Sequence, residues 1–111
     1  MQIALTTTGR KSGRPHPVTL YAFEDQGRLI VVGSYGGAPR DPDWVGNLRA
    51  YPRVQVRRAG RQDEMQAEEV NGPDRERVWQ LVTAAFPMYQ SYQRRTERTI
   101  PLFALVPVDA G

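Results

Sequence analysis

The sequence predicts a mostly β fold of the α+β kind, a small barrel of about six antiparallel strands covered by two or three helices. Short apolar segments, alternating or continuous, are separated by turn residues along the chain. One longer segment instead repeats its apolar residues at the spacing of a helix. The strand segments follow one another without a helix between each pair, which favours antiparallel hairpins over βαβ units.

The strand predictions come from apolar runs bounded by glycine, proline and aspartate. The segment from Leu29 to Val32 is continuously apolar, which predicts a central strand buried on both faces. A turn at Asp25–Gly27 separates it from the strand before it. The predicted strands are Gln2–Thr8, Val18–Glu24, Arg28–Ser34, Val54–Arg57, Gln62–Val70 and Ile100–Val106.

Helices are predicted in three places. A short helix begins after Asp41, which can cap it, with Pro42 in its first position, and runs to about Ala50. Gln90–Arg95 adds a short helical piece. The clearest helix is Pro73–Phe86, whose apolar stripe consists of Val78, Leu81, Val82, Ala85 and Phe86.

Composition excludes several classes of site. The chain has 111 residues, of which 40% are hydrophobic and 24% charged, as expected of one soluble globular domain spanning residues 1–111. The absence of cysteine excludes disulfides, thiolate metal sites and a cysteine nucleophile. The single histidine, His16, cannot build a multi-histidine metal centre, and no metal is expected. Taken alone, His16 is interpreted as an exposed polar residue.

Charge and hydropathy limit the partners. The net charge is +3, and Lys11 is the only lysine among 15 cationic residues. This excess is small and dispersed, so a nucleic-acid partner is not expected, although a nucleic-acid-binding barrel stays open as a distant alternative. No apolar run approaches the roughly 20 residues of a membrane span, and no signal peptide opens the chain, which predicts a cytoplasmic protein.

The loop after the first predicted strand is the most informative segment. Between Leu5 and Pro15, a β-prone stretch enters a loop with two glycines and three cations, Arg10, Lys11 and Arg14. Glycines let backbone N–H groups converge, and the cations supply charge, so the loop suits a phosphate. Its spacing is not that of a P-loop. A charged, solvated hairpin loop is the alternative interpretation.

Five motifs follow one another along almost the whole chain. They are Leu5–Pro15, Gly36-Gly37-Ala38, Pro42-x-Trp44-x-x-Asn47-Leu48-x-Ala50-x-Pro52-x-Val54, Phe86-Pro87-x-Tyr89-x-x-Tyr92-Gln93 and Thr96-x-Arg98-Thr99-Ile100-Pro101. In this order they resemble the deazaflavin-dependent nitroreductase family. The resemblance implies a split β-barrel, related to the FMN-binding barrels of pyridoxamine-phosphate oxidases. It also implies coenzyme F420, an 8-hydroxy-5-deazaflavin with a phosphodiester and an oligoglutamate tail.

The resemblance assigns the cofactor's anionic tail to the glycine-containing loop. It places the phosphate against Arg10, Lys11 and Ser12, and charge and proximity add Arg14. The next strand is then expected to run along the cofactor, through His16, Pro17, Val18, Thr19, Leu20 and Tyr21.

Two further segments are expected to hold the cofactor. The end of the buried strand would present backbone amides to the edge of the deazaflavin ring, at Val32, Gly33, Ser34 and Tyr35. The short helix would point its positive N-terminus at the anionic cofactor, with Asn47 supplying an amide hydrogen bond. Trp44 is expected to pack as core rather than touch substrate. The residues of this helix are Asp43, Trp44, Val45, Gly46 and Asn47.

Aromatic residues after the long helix are the candidates for the acceptor site. Phe86, Tyr89 and Tyr92 are spaced three apart, which places them near one helical face. An aromatic core cluster is the alternative. By resemblance Tyr89 contacts cofactor or substrate, and the candidate proton donors are Tyr89, Ser34 and Tyr21. Arg98 is interpreted as structural.

The resulting functional hypothesis is an oxidoreductase. Hydride would pass from C5 of reduced F420 to an electrophilic small molecule, such as a quinone, an activated alkene or a nitroaromatic. Two alternatives remain open: an FMN-dependent oxidoreductase on the same barrel, and a non-catalytic carrier of F420.

The resemblance also bears on assembly. Relatives carry a helical segment before the first strand, whereas here that strand begins close to Met1. A more open pocket is expected, and membrane association is not. Split barrels often pair through their sheets, so a homodimer is a further expectation.

Overall fold

The computed structural model describes residues 1–108. It contains seven strands, three α-helices and a short 3₁₀ turn at Tyr35–Gly37. The elements in order are β1 Gln2–Thr8, β2 Pro15–Tyr21, β3 Phe23–Asp25, β4 Arg28–Val32, α1 Asp43–Ala50, β5 Arg53–Arg58, β6 Arg61–Glu69, α2 Gly72–Ala85, α3 Met88–Arg94 and β7 Leu102–Pro107.

The seven strands form one antiparallel sheet in the order β2-β1-β5-β6-β7-β4-β3. Its two edge strands, β2 and β3, are consecutive in the chain and are joined by the fully buried Ala22. The sheet therefore curls until its edges meet at this bend, which confirms the predicted split barrel. The segment predicted as one strand, Val18–Glu24, begins earlier and is divided at the bend, which gives seven strands rather than six.

The core has two parts, one on each side of β4 and β7. Leu29–Val32 is buried on both faces, as its continuous apolar run predicts. The first part fills the barrel and includes Ile3, Leu5, Val31, Val54, Val56, Met65 and Leu105. The second lies between the barrel and helices α2 and α3 and includes Ile30, Val78, Val82, Tyr89, Ile100 and Leu102.

The start of α1 differs from the prediction. Pro42, not Asp41, occupies the position before the first helical residue, and no side chain caps the helix. The Asp41 carboxylate instead accepts hydrogen bonds from Arg98 Nη1 at 2.7 Å and from Arg49 Nη1 at 3.3 Å. The predicted cap is wrong because the carboxylate is held by Arg98, 57 residues away, and by Arg49 in the last turn of α1, rather than by the backbone at the helix start.

Arg98 also fixes the segment between β4 and α1. Its guanidinium donates to the backbone oxygens of Ala38 at 2.9 Å, Ser34 at 2.8 Å and Gly33 at 3.2 Å. The side chain is 14% exposed. These contacts confirm the structural interpretation of Arg98.

The described helices are also informative about membranes. The longest one, α2, has 14 residues. Across residues 1–108, no helix combines the length and the apolar composition that crossing a bilayer would need.

Candidate active site

A shallow cavity of about 200 Å³ lies beside the loop that follows β1. We call it the anion cavity because two cationic side chains, Arg10 and Lys11, reach it. It brings together the tail-binding residues predicted from the sequence, apart from Arg14. Its lining consists of Gly9, Arg10, Lys11, Ser12, His16, Asp43 and Asn47.

The loop beside this cavity is closed by its own backbone. Gly9 N–H donates to the Arg14 oxygen at 2.8 Å, and Gly13 N–H donates to the Gly9 oxygen at 2.8 Å. A Cβ on Gly9 would lie 2.5 Å from His16 Nε2 and 2.6 Å from Ser12 Oγ. Only glycine therefore lets the imidazole and the hydroxyl close over the loop, where they lie 3.3 Å apart.

Arg10 fastens the loop to α1. Asn47 Oδ1 accepts from the Arg10 backbone N–H at 3.1 Å and from Arg10 Nη1 at 2.9 Å. The Asp43 backbone oxygen accepts from Nη1 at 3.0 Å. The guanidinium lies across Gly46, where a Cβ would be 3.0 Å from Arg10 Cζ. Much of the hydrogen-bonding capacity of Arg10 is therefore used within the protein.

Asn47 is the buried centre of this arrangement. It is 3% exposed, and its Nδ2 donates to Thr7 Oγ1 at 3.1 Å. Thr7 is itself 1% exposed, and its hydroxyl is 3.4 Å from the His16 backbone oxygen. Asn47 on α1 is thus hydrogen-bonded to both β1 and the loop. The position of the loop at the anion cavity therefore depends on a buried residue.

Lys11 is the cation that these internal contacts leave available. Its side chain is exposed at the cavity, and within residues 1–108 its ammonium has no hydrogen-bond or ion-pair partner. Arg14 is exposed as well, but it does not line the cavity, and its hydrogen bonds are made by its backbone, to Ser12 Oγ at 3.1 Å and from Gly9 N–H at 2.8 Å. Lys11 is thus best placed to meet an added anion.

A second cavity of about 230 Å³, here called the strand cavity, adjoins the first along β2. His16, Asp43 and Asn47 line both cavities, so the two are neighbours that share a wall. Trp44 is 7% exposed and packs edge-on against Phe103 with 6.3 Å between ring centroids, so most of it belongs to the core. The lining consists of Thr7, His16, Pro17, Val18, Asp43, Trp44 and Asn47.

A third cavity, the aromatic cavity, of about 430 Å³, lies at the other end of β2. The ring centroids of Phe86 and Tyr89 are 4.8 Å apart, and those of Tyr21 and Phe23 are 5.1 Å apart. Phe23 joins the two pairs, because its centroid is 6.1 Å from that of Tyr89. The lining consists of Tyr21, Phe23, Ala85, Phe86 and Tyr89.

Tyr89 is the most buried of these rings, with 8% of its surface exposed. Burial raises the pKa of its phenol, and the nearby Tyr92 and Tyr21 add to the shift. Within residues 1–108 the hydroxyl has no hydrogen-bond partner. The side chain is thus a neutral phenol at physiological pH, with its donor available to a bound molecule.

Some residues expected at the site lie outside these three cavities. Val32 and Val45 are buried core residues. Gly33 is packed tightly, since a Cβ there would be 2.8 Å from Pro101 and Val45 side-chain atoms. The remaining residues that line none of the three cavities are Thr19, Leu20, Ser34, Tyr35 and Gly46.

Sequence reasoning did not select Thr7, Phe23 or Ala85, which line the cavities. Phe23 follows the bend at Ala22, and the bend interrupts the alternation that would show where its ring points. Thr7 falls at an inward position of β1. Its place in the alternation after Ile3 and Leu5 could have indicated this from the sequence. Within the described part of the chain, no three His, Asp or Glu side chains are arranged to hold a metal ion.

Known proteins resemble this chain over nearly its whole length. An F420H(2)-dependent quinone reductase of Mycobacterium tuberculosis is 36% identical over 106 residues, which cover 93% of this chain and 71% of the relative. A solved F420-H2 dependent reductase, FDR-A, is 38% identical with a TM-score of 0.84, covering 94% of this chain and 92% of its own. A structure described as a domain-swapped dimer is also 38% identical, with a TM-score of 0.85, and covers 94% of this chain and 78% of its own.

The family model for F420H(2)-dependent quinone reductases matches residues 1–107. This match spans both the anion cavity and the aromatic cavity. It agrees with the expectation, drawn from motif resemblance, of an oxidoreductase that uses coenzyme F420. The chain therefore belongs to the F420H(2)-dependent quinone reductase family.

Proposed function

We propose that this protein transfers a hydride from reduced F420 to a quinone, with the cofactor lying along β2. One observation carries the proposal. The seven residues of β2 join the anion cavity and the strand cavity at one end to the aromatic cavity at the other. A strand of this length spans about 20 Å. That spacing suits an elongated molecule with an anionic tail and a planar, apolar ring system.

The residues of the anion cavity fit the tail. The exposed Lys11 ammonium can donate charge-assisted hydrogen bonds to a phosphodiester or a carboxylate. Ser12 and His16 add polar atoms on the same wall. Arg10 holds the loop against α1, so Lys11 is presented from a fixed backbone. We infer that Lys11 and Ser12 contact the tail directly, and that Asn47 acts by holding Arg10.

The residues of the aromatic cavity fit the ring and the acceptor. When bound, reduced F420 supplies a hydride from C5 to an electrophilic carbon or oxygen. Phe23 and Phe86 offer flat apolar surfaces, which can orient a planar acceptor against the ring. Phe86 is 40% exposed, so the cavity is open to an entering quinone.

A quinone that accepts a hydride becomes an anion and then needs a proton. Tyr89 can donate it, because its phenol is neutral at physiological pH and lines the aromatic cavity. Tyr21 lines the same cavity but is 59% exposed, so water can take over any proton donation from its hydroxyl. Ser34 does not line the cavity. We therefore assign proton donation to Tyr89 ahead of Tyr21 and Ser34.

Turnover with menadione tests the proposal. The purified protein is mixed with reduced F420, and absorbance of the oxidised cofactor is followed after menadione is added. We expect oxidation that depends on both protein and quinone. Tight FMN binding without a response to F420 would favour the FMN-dependent alternative. F420 binding without oxidation across quinones, activated alkenes and nitroaromatics would favour a carrier.

We also propose a homodimer. A solved structure 38% identical to this chain is described as a domain-swapped dimer. Here the edge strand β2 has no fully buried residue, and Tyr21 at its end is 59% exposed. A second copy packed against β2 would cover this surface together with the cofactor proposed to lie along it. Sedimentation equilibrium at micromolar concentration distinguishes a dimer from a monomer, and a monomer at all concentrations would refute the proposal.

A further inference from the structure

One side chain in the anion cavity has the wrong charge for an anionic ligand. Asp43 lines both the anion cavity and the strand cavity. Among the described residues that line these two cavities it is the only carboxylate, and its side chain is 82% exposed. A phosphate or carboxylate that enters either cavity is therefore repelled by the exposed negative charge of Asp43.

Asp43 also competes for a cation. Its Oδ1 is 3.4 Å from Arg10 Nη2, the one terminal nitrogen of that guanidinium not used by Asn47 or by the Asp43 backbone. An anion that sought Arg10 at this position would have to displace the carboxylate. The two effects, repulsion and competition, act in the same direction.

From this placement we propose that Asp43 is a specificity-determining residue that weakens binding of the cofactor's anionic tail while leaving binding of the ring unchanged. The proposal rests on the proposed function, because it takes the anion cavity as the tail site. Asp43 sets an upper limit on tail affinity, and Lys11 supplies most of the attraction. Such a balance lets oxidised cofactor leave between turnovers.

Charge screening distinguishes this role from a structural one. Asp43 lies in the first turn of α1, where an acid stabilises the positive end of a helix. Loss of that stabilisation would lower the melting temperature and would not tighten ligand binding. Repulsion between exposed charges falls with salt, because the Debye length shortens from about 14 Å to about 4 Å between 0.05 and 0.5 M.

The test measures binding of two ligands to matched variants. The ligands are F420 and its tail-free core, 8-hydroxy-5-deazariboflavin. The variants are Asp43→Asn, Asp43→Ser and the control Glu68→Gln. Glu68 is exposed on β6, lines none of the three cavities and has no ion-pair partner within residues 1–108. Its substitution changes the net charge equally.

We expect both Asp43 variants to bind F420 about fivefold more tightly at low salt. The gain should shrink at high salt and be absent for the tail-free core and for Glu68→Gln. Unchanged or weaker F420 binding, an equal gain for the tail-free core, or an equal gain in Glu68→Gln would overturn the proposal. If the wild-type chain bound neither ligand, the proposed function would fail and this inference with it.

Discussion

The two ends of β2 differ in how closely their side chains are tied to the core. At the loop end, Lys11 is exposed and the cavity wall is polar. At the aromatic end, Tyr89 is 8% exposed and belongs to the hydrophobic cluster between the barrel and the helices. Substitutions of exposed side chains at the loop end, such as that of Lys11, should therefore change affinity with little effect on stability. At the aromatic end, stability and turnover should change together.

The strongest test of this comparison is the scaffold of the aromatic end. Asp25 on β3 is 4% exposed and pairs with Arg28 at 2.7 Å and with Arg77 on α2 at 2.9 Å. Asp25→Asn removes the buried carboxylate that Arg28 and Arg77 share and leaves them only Asp74 as a partner within residues 1–108, so the free energy of unfolding should fall by about 2 kcal/mol. Quinone turnover should fall as α2 loosens. Urea denaturation and activity at neutral pH measure both effects.

The same residue predicts a pH dependence. The Arg77 hydrogen bond, with further help from Arg28, lowers the pKa of Asp25 from 3.8 to about 2. A lowered pKa adds stability that is present above about pH 4 and is lost as the pH falls toward 2. The stability difference between the wild type and Asp25→Asn should shrink over that interval. Glu24→Gln, an exposed neighbour on β3, is the control and should match the wild type.

At the loop end, Lys11→Ala should weaken F420 binding by about 10- to 100-fold, the value of one charge-assisted hydrogen bond. Binding of the tail-free core should not change, and neither should the melting temperature, because the side chain is exposed. Fluorescence titration and thermal melting measure the three quantities. Lys11→Arg keeps the charge and should retain most of the affinity. Unaltered F420 binding in Lys11→Ala would refute the tail assignment.

Tyr89→Phe removes the phenol from the aromatic cavity while keeping the ring. We expect kcat with menadione to fall about tenfold, with F420 affinity unchanged. This is less than the roughly 100-fold or more of a positioned acid, because water can enter the open cavity and deliver the proton instead. The wild-type rate should show no loss of this acid below about pH 10, because burial raises the pKa of Tyr89. Tyr51→Phe, at an exposed tyrosine that lines none of the three cavities, is the control. A wild-type kcat in Tyr89→Phe would assign the proton to another donor.

The smallest effect is expected at Gly46, behind the loop. A Cβ at this position would be 3.0 Å from Arg10 Cζ and Nε, so Gly46→Ala should displace that side chain by a few tenths of an ångström. F420 affinity should fall about twofold to threefold, since Arg10 only positions the loop. Alanine in place of a helical glycine should raise stability by up to about 1 kcal/mol. Calorimetry measures the expected gain in stability, and titration measures the expected loss of F420 affinity. A loss of stability would contradict the packing argument.

The fold could be predicted from the sequence because its strands and helices are set by local patterns. Alternation and continuous apolar runs identified the barrel strands, and one stripe identified α2. The bend at Ala22 was missed, since both faces of an edge strand are exposed and the pattern there is weak. The cap at Asp41 was wrong because its partner, Arg98, lies 57 residues away.

The candidate site was predicted less completely for the same physical reason. Charge and glycine spacing marked the loop as an anion site, and the family resemblance added the aromatic residues. The contact of Arg10 with Asn47 joins residues 37 apart, and no local pattern encodes it. The sequence therefore predicted several of the residues that line the three cavities, but not which of them remain available to a ligand.

The edge position of β2 has a consequence for solubility. Pro15 and Pro17 have no backbone N–H, yet both lie in register with β1, opposite Thr8 and Thr6. Proline is tolerated in a strand where its nitrogen faces the free edge. This half of the edge therefore offers another chain no continuous row of hydrogen-bond donors, and strand-by-strand polymerisation is blocked there. In the proposed binding mode, the cofactor would therefore lie beside a sheet edge that does not template the addition of further strands.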